Sequence, residues 1–224
     1  MKSESKIEQY EGLYIRSGTQ DRAMVRDALY EDYPYAELRG HVVLDCGAHV
    51  GAFTKRALDA GAERIFAIEP WSPNRELLVM NHGDNPKVEI LPIAISNKPT
   101  VTLTVPNDRD TGAVSGFVNH RNPSREQVVE ASSLESLIQI AKPTFVKLDI
   151  EAAEYDILPC DLSGVQHICG ELHTMSRENR RKALELMIWL ETQEFYVSHL
   201  QGGPMREKMF ERILWFHFHA YRRK

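Results

Sequence analysis

The stretch His41-Val42-Val43-Leu44-Asp45-Cys46-Gly47-Ala48-His49-Val50-Gly51 decides the fold. Its opening residues form a short apolar run that ends in an acid, the pattern of a strand buried on both faces. Gly47 to Gly51 then form a glycine turn, in which the backbone can bend sharply and approach a ligand with no Cβ in the way. Ala52 to Ala60 follows as a helix, closed by Gly61 as a left-handed cap. In an open α/β sheet such a turn lies beyond the carboxyl end of a strand, where ligands bind. The run is not G-x-G-x-x-G, because His49 stands where the second glycine would be and Asp45 precedes the first. A pyrophosphate needs bare N–H groups at a helix start. Asp45 would repel that anion and would favour a ligand bearing an ammonium group.

Strands and helices alternate outward from this point. Arg64 to Ile68 predicts a second buried strand, Pro73 to Asn81 a helix with proline near its start, and Val88 to Ile95 a third strand despite Pro92. Thr100 to Val105 alternates like an exposed antiparallel strand. Pro106 to Gln127 is rich in Asn, Asp, Arg, Gly, Ser and Pro and has no period, so it reads as a lid or substrate-contacting loop. Ser132 to Ile140 predicts a helix capped by Ser132 or Ser133. Thr144 to Ile150 is a fourth strand, Glu154 to Leu158 a short helix, His167 to Leu172 a fifth strand and Arg177 to Thr192 an amphipathic helix. Phe195 to Leu200 and Ile213 to Tyr221, joined through Gly202-Gly203-Pro204, complete the chain as an antiparallel pair. Ahead of the core, Gln20 to Tyr30 reads as an amphipathic helix with Met24, Val25, Ala28 and Leu29 on one face. The expectation is a single-domain α/β protein, a three-layer Rossmann-like sheet of five parallel strands plus a C-terminal antiparallel pair. Residues 1–40 form a helical segment packed on a domain spanning 41–224.

Composition narrows the function. The 224 residues carry a formal charge of −5, with a pI near 6.0, which argues against a nucleic-acid partner. The clusters Arg177, Arg180, Arg181, Lys182 and Arg222, Arg223, Lys224 read as a solvated helix face and a frayed end. Cys46, Cys160 and Cys169 have no metal-ligand spacing and read as reduced thiols. No apolar run reaches membrane-spanning length, and the start from Met1 to Lys6 lacks the apolar stretch of a secretory signal. A cytoplasmic location follows as the expectation.

Charged residues at strand tips mark the chemistry. Glu69 ends the second strand and is placed to accept hydrogens from both ribose hydroxyls, a device that S-adenosylmethionine and NAD share. Trp71, two residues on, is placed either to stack on adenine or to pack. In the fourth strand, alternation sends Lys147, Asp149 and Glu151 one way, and such charges sit in a buried strand only when paired or at its exposed tip. Asp149 and Glu151 are candidates for positioning the substrate or taking its proton. The fifth strand ends in Glu171-Leu172-His173, and histidine suits proton transfer near neutral pH. These carboxylates and imidazole also make a set that a divalent metal could use.

These pieces together resemble the FkbM-type methyltransferases, a branch of the class I, S-adenosylmethionine-dependent fold. The resemblance runs from about Ile15 to His173. It is carried by Arg16-Ser17-Gly18-Thr19-Gln20-Asp21, the turn from Asp45 to Gly51, Ile68-Glu69-Pro70 with Asn74 and Asn81, Ala94-Ile95-Ser96, Ser133-Leu134-Glu135-Ser136-Leu137, Lys147 to Glu154, and Glu171-Leu172-His173. It implies methyl transfer, often to a hydroxyl of a sugar or natural product, with Asp149 near the reacting methyl. The candidate cofactor-binding residues are Asp45, Gly47, Ala48, His49, Gly51, Glu69, Trp71, Ala94 and Asp149; the candidate catalytic residues are Asp149, Glu151 and His173. Two departures stand out: His49 where the family usually has Asn, and Ala152 where it usually has Gly. The acceptor is expected to be a small molecule or glycan. Other readings of the same fold are a catalytically silent cofactor-binding module and a nicotinamide-dependent oxidoreductase; the missing G-x-G-x-x-G and the antiparallel end weigh against the latter.

Overall fold

The computed structural model describes residues 6–33, 37–106, 124–150, 154–174, 176–199 and 215–222. In chain order the elements are β1 (Ile7–Tyr10), β2 (Leu13–Arg16), α1 (Asp21–Tyr30), β3 (Val42–Cys46), α2 (Ala52–Asp59), β4 (Arg64–Ile68), α3 (Ser72–His82), β5 (Val88–Leu91), β6 (Ala94–Ile95), β7 (Thr100–Pro106), β8 (Ser124–Ser132), α4 (Leu134–Ala141), β9 (Phe145–Leu148), α5 (Glu154–Ile157), β10 (His167–His173), α6 (Arg177–Thr192), β11 (Phe195–His199) and β12 (Trp215–Arg222).

The main sheet has seven strands in the order β11-β12-β10-β9-β3-β4-β5. From β5 to β10 neighbouring strands are parallel, as expected. β12 is antiparallel to both β10 and β11. The last two strands do form the anticipated pair, but β12 alone runs against the sheet, inserted between β10 and the edge strand β11.

Apolar alternation separates the layers. Leu44, Cys46, Phe66, Ile68, Val146, Leu148 and Ile168 face α4 and α6, meeting Leu134, Leu137, Leu186 and Leu190 in the largest core cluster. Val43, Ile65, Phe145 and Cys169 face the other way, against Phe53 and Ala57 of α2 and Tyr33 beyond α1. The three layers follow from strands that are apolar on both faces. Ser133 and Ser176 cap α4 and α6 through their hydroxyls, which accept from the backbone N–H of Ser136 and Asn179.

Three expectations change. Residues ahead of the core are not only helical: β1 and β2 make a hairpin before α1, turning at Glu11-Gly12, both at positive φ. The run Val88 to Ile95 divides at Pro92, so that β6 leaves the main sheet and pairs with β8; proline offers no N–H to continue a ladder. The segment Pro106 to Gln127 is not all loop, because β7 extends to Pro106 and β8 begins at Ser124 as its antiparallel partner. The rest of the expected lid, 107–123, lies outside the described residues.

Candidate active site

The glycine turn is folded onto the end of β4. Gly47 and Ala48 both donate backbone N–H groups to the carbonyl of Ile68, at 3.0 and 2.9 Å. A Cβ on Gly47 would lie 1.9 Å from the carbonyl oxygen of Asp149, and its φ is +79°, so only glycine fits between the first and fourth parallel strands. His49 takes a positive φ of 54° with a full side chain. That geometry aims its N–H at Glu69 Oε2, 2.9 Å away, while Trp71 N–H donates to Oε1 at 2.9 Å. Glu69 is 5% exposed. Burial raises its carboxyl to about 7, against the pull of these two N–H groups.

Asp45 does not present itself to a ligand. It is fully buried, Thr54 donates to its Oδ2 at 2.7 Å, and Lys147 Nζ lies 3.4 Å from Oδ1. Lys147 also donates to the carbonyls of Gly47 and Cys46, at 2.7 and 3.3 Å, and lies 3.7 Å from Asp149. Burial works against its charge, but Asp45 and Asp149 outweigh burial and hold the ammonium above the ordinary lysine value. The expected direct meeting of Asp45 with an ammonium ligand therefore gives way to an internal ion pair beneath the turn.

Trp71 and Ala94 are buried side by side. Both pack with Leu103 and Val129 under the β7–β8 hairpin, and the Arg125 guanidinium lies over the indole, 5.5 Å from its ring centroid. Trp71 is 5% exposed, so its ring fills a satellite core, the packing alternative of the two.

The N-terminal hairpin contributes Arg16 to the turn, a placement that sequence reading missed. Its Nε and Nη2 donate to the two oxygens of Asp21 at 2.8 and 2.9 Å, and Nη2 also donates to Asn74 Oδ1 at 2.8 Å. The same Nη2 lies 3.4 Å from His49 Nε2. Burial, with the nearby Arg16 and Lys147 charges, lowers His49 to about 4 despite Asp21, so its ring is neutral at physiological pH.

Farther along the sheet, β9, β10 and β12 bring acids and imidazoles together. Asp149 follows β9, and Tyr33 OH donates to its Oδ2 at 3.4 Å. Glu171 sits between two histidines: His173 Nε2 is 3.4 Å from Oε1 and His217 Nε2 is 3.2 Å from Oε2. His217 is also 3.6 Å from Asp32 Oδ1. Burial pushes Asp32 up to about 6, against the pull of His217. Burial opposes the charge of His217, but Glu171 and Asp32 prevail and raise its value. Glu151 lies outside the described residues. Asp32, Tyr33 and His217 were not foreseen; the alternation of the last strand marks His217 as facing with His219, but nothing local says that β12 abuts β10. Among the described residues no group of three or more His, Cys, Asp or Glu side chains is arranged to hold a metal ion.

A seven-stranded sheet with one reversed strand, a glycine turn and an acid at the next strand tip define the class I methyltransferase type. A family model described as the Methyltransferase FkbM domain matches residues 45–214, most of the chain, and the chain belongs to that family. Among solved structures it is similar to Aeropyrum pernix fibrillarin in complex with natively bound S-adenosyl-L-methionine, with a TM-score of 0.50 and 11% identity over 97% of this chain and 83% of that one. It is also similar to precorrin-6y C5,15-methyltransferase from Geobacter metallireducens GS-15, with a TM-score of 0.47 and 15% identity over 96% and 95% of the two chains. A third is the ribosomal protein L11 methylase from Lactobacillus delbrueckii subsp. bulgaricus, with a TM-score of 0.47 and 12% identity over 90% and 80%. At these identities the likeness is one of fold. No curated protein matches the chain. No described helix is long and apolar enough to cross a membrane.

Proposed function

We propose that this methyltransferase takes its methyl group from S-adenosylmethionine and passes it to a hydroxyl of a sugar or other small metabolite. The observation that carries the reading is Glu69. Its carboxylate stands at the tip of β4 beside the glycine turn, and each oxygen is fixed by one backbone N–H. Lone pairs remain on both oxygens, as two adjacent ribose hydroxyls require. Gly47, Ala48, His49 and Gly51 supply the close backbone surface. Asp45 acts from below by holding Lys147, and Asp149 stands toward the acceptor.

S-adenosylmethionine, when bound, supplies an electrophilic methyl on a sulfonium sulfur. The chain's own task is to orient the acceptor and take its proton. Asp149, supported by Tyr33 and Lys147, and His173, supported by Glu171, are the groups proposed for that role, together with Glu151 from the sequence. A positioned base contributes roughly 10²–10⁴-fold. Asp32, Asp149 and Glu171 crowd the acceptor end with carboxylates, which suits a neutral alcohol better than a polyanion such as nucleic acid. A cytoplasmic place accompanies this reading, since Cys46, Cys160 and Cys169 are free thiols.

The test is calorimetric titration of the folded chain with S-adenosylmethionine, S-adenosylhomocysteine and NAD. Heat with the first two and none with NAD is expected, and the reverse pattern overturns the reading. With methyl-labelled cofactor and a panel of sugars and small alcohols, label transfer should fall in Asp149→Asn and His173→Gln. Unchanged turnover when both are replaced removes them from the chemistry.

A further inference from the structure

The amino-acid end of S-adenosylmethionine carries a carboxylate as well as an ammonium, and the following rests on the cofactor reading above. Asp45 and Lys147 are committed to each other beneath the turn. Arg16 stands beside the same turn and is 7% exposed. Its Nε and Nη2 are engaged by Asp21 and Asn74, but its Nη1 is shut away from solvent with no hydrogen-bond partner among the described residues. A buried cationic donor left without an acceptor is costly, and such groups in native proteins call for an explanation.

The surroundings say what kind of acceptor fits. Arg16 reaches the glycine turn, touching His49 at 3.4 Å, and donates to Asn74 of α3 at 2.8 Å. Asp21, fully buried, holds the guanidinium through both of its oxygens, so the group is set in place before any ligand arrives. A guanidinium with one spare nitrogen is suited to a carboxylate, to which it donates charge-assisted hydrogen bonds.

We propose that Arg16 holds the α-carboxylate of the amino-acid end of S-adenosylmethionine, with its Nη1 as the donor and the His49 ring beside it. Arg16 and Asp21 both lie before residue 45, where the family match begins. The N-terminal hairpin and α1, which carry the Arg16 to Asp21 run of the family resemblance, would thus complete the binding site. This also gives those elements a task beyond packing: β2 brings the guanidinium to the turn and the first residue of α1 fixes its orientation.

The test uses two ligands that differ only at the amino-acid end. S-adenosylhomocysteine carries it; 5′-methylthioadenosine keeps the adenosine thioether and lacks it. Calorimetry on the full chain should show the former binding more tightly by at least about tenfold, the scale of one charge-assisted contact. Arg16→Gln combined with Asp21→Asn removes both buried charges together. In that variant S-adenosylhomocysteine should lose at least about tenfold in affinity while 5′-methylthioadenosine changes by less than about twofold. Arg16→Lys keeps the charge paired with Asp21 and serves if the double variant does not fold; a several-fold loss for S-adenosylhomocysteine alone is expected. Equal weakening of both ligands, or a preserved preference in a folded variant, overturns the proposal. A folded wild-type chain that binds neither compound fails earlier, at the cofactor reading itself.

Discussion

The proposed cofactor end of the site and its proposed acceptor end are assembled by different means. From Asp45 to Trp71 one continuous strand–turn–helix–strand run supplies the glycine turn, the buried aspartate and Glu69, while Arg16 and Lys147 arrive from elsewhere. The other end draws Asp32 and Tyr33 from beyond α1, Asp149 from just after β9, Glu171 and His173 from β10 and His217 from β12. The first end is a local motif whose geometry the backbone sets. The second is a meeting of segments, and its chemistry depends on which strand lies beside which. Local motifs suit a ligand shared by a whole fold class; remote assembly lets acceptor contacts vary while the sheet stays the same.

Lys147 ties the two ends together, and its loss should have the largest effect. Lys147→Met leaves Asp45 buried without a counter-charge, expected to cost about 3–5 kcal/mol. Urea denaturation measures it, and adding Asp45→Asn should recover much of the loss. If the single variant is as stable as the wild type, the two ends are not coupled through this ion pair.

A smaller effect tests the cofactor end alone. Glu69 is neutral in the folded chain below about 7, whereas two ribose hydroxyls require its carboxylate. Affinity for S-adenosylhomocysteine should therefore be level above pH 7 and fall about tenfold per pH unit as the solution is acidified below it. The linkage on folding has the matching sign. A carboxyl with a raised folded value favours the folded state below its unfolded value of 4.5, and that advantage is lost as pH rises through about 7. A pH-independent affinity between 5 and 8 would show that Glu69 does not carry the contact.

The smallest effect belongs to the acceptor end. His217→Gln removes an imidazolium held between Asp32 and Glu171 and should cost about 1 kcal/mol. Because its folded value is raised above 6.5, the difference from wild type should be full below pH 6.5 and vanish as pH rises through the folded value. Thermal melts of both proteins at pH 6 and pH 9 check this; an equal gap at both pH values would mean that packing, not charge, is what His217 supplies.

What could be read without coordinates follows from interactions that are short along the chain. The alternation of strands and helices, the glycine turn and the Ser133 cap rest on hydrophobic period and backbone geometry, both written within a few residues. The departures rest on pairing across distance. Trp71 stands beside Glu69 in the chain and was a fair adenine platform until β7 and β8 folded over it. Asp45 carried an available charge until Lys147 arrived from a strand far along the chain.

The amino-acid sequence alone determined the α/β class, the family, and the identities of the turn residues and Glu69. Tertiary structure alone decided that Arg16 reaches the turn, that β12 slots between β10 and β11 so that His217 meets Glu171, and that Trp71 is core. Periodicity tells which face of an element is apolar, but not which neighbour covers it, and the state of a buried charge is settled by the partner that the fold brings to it.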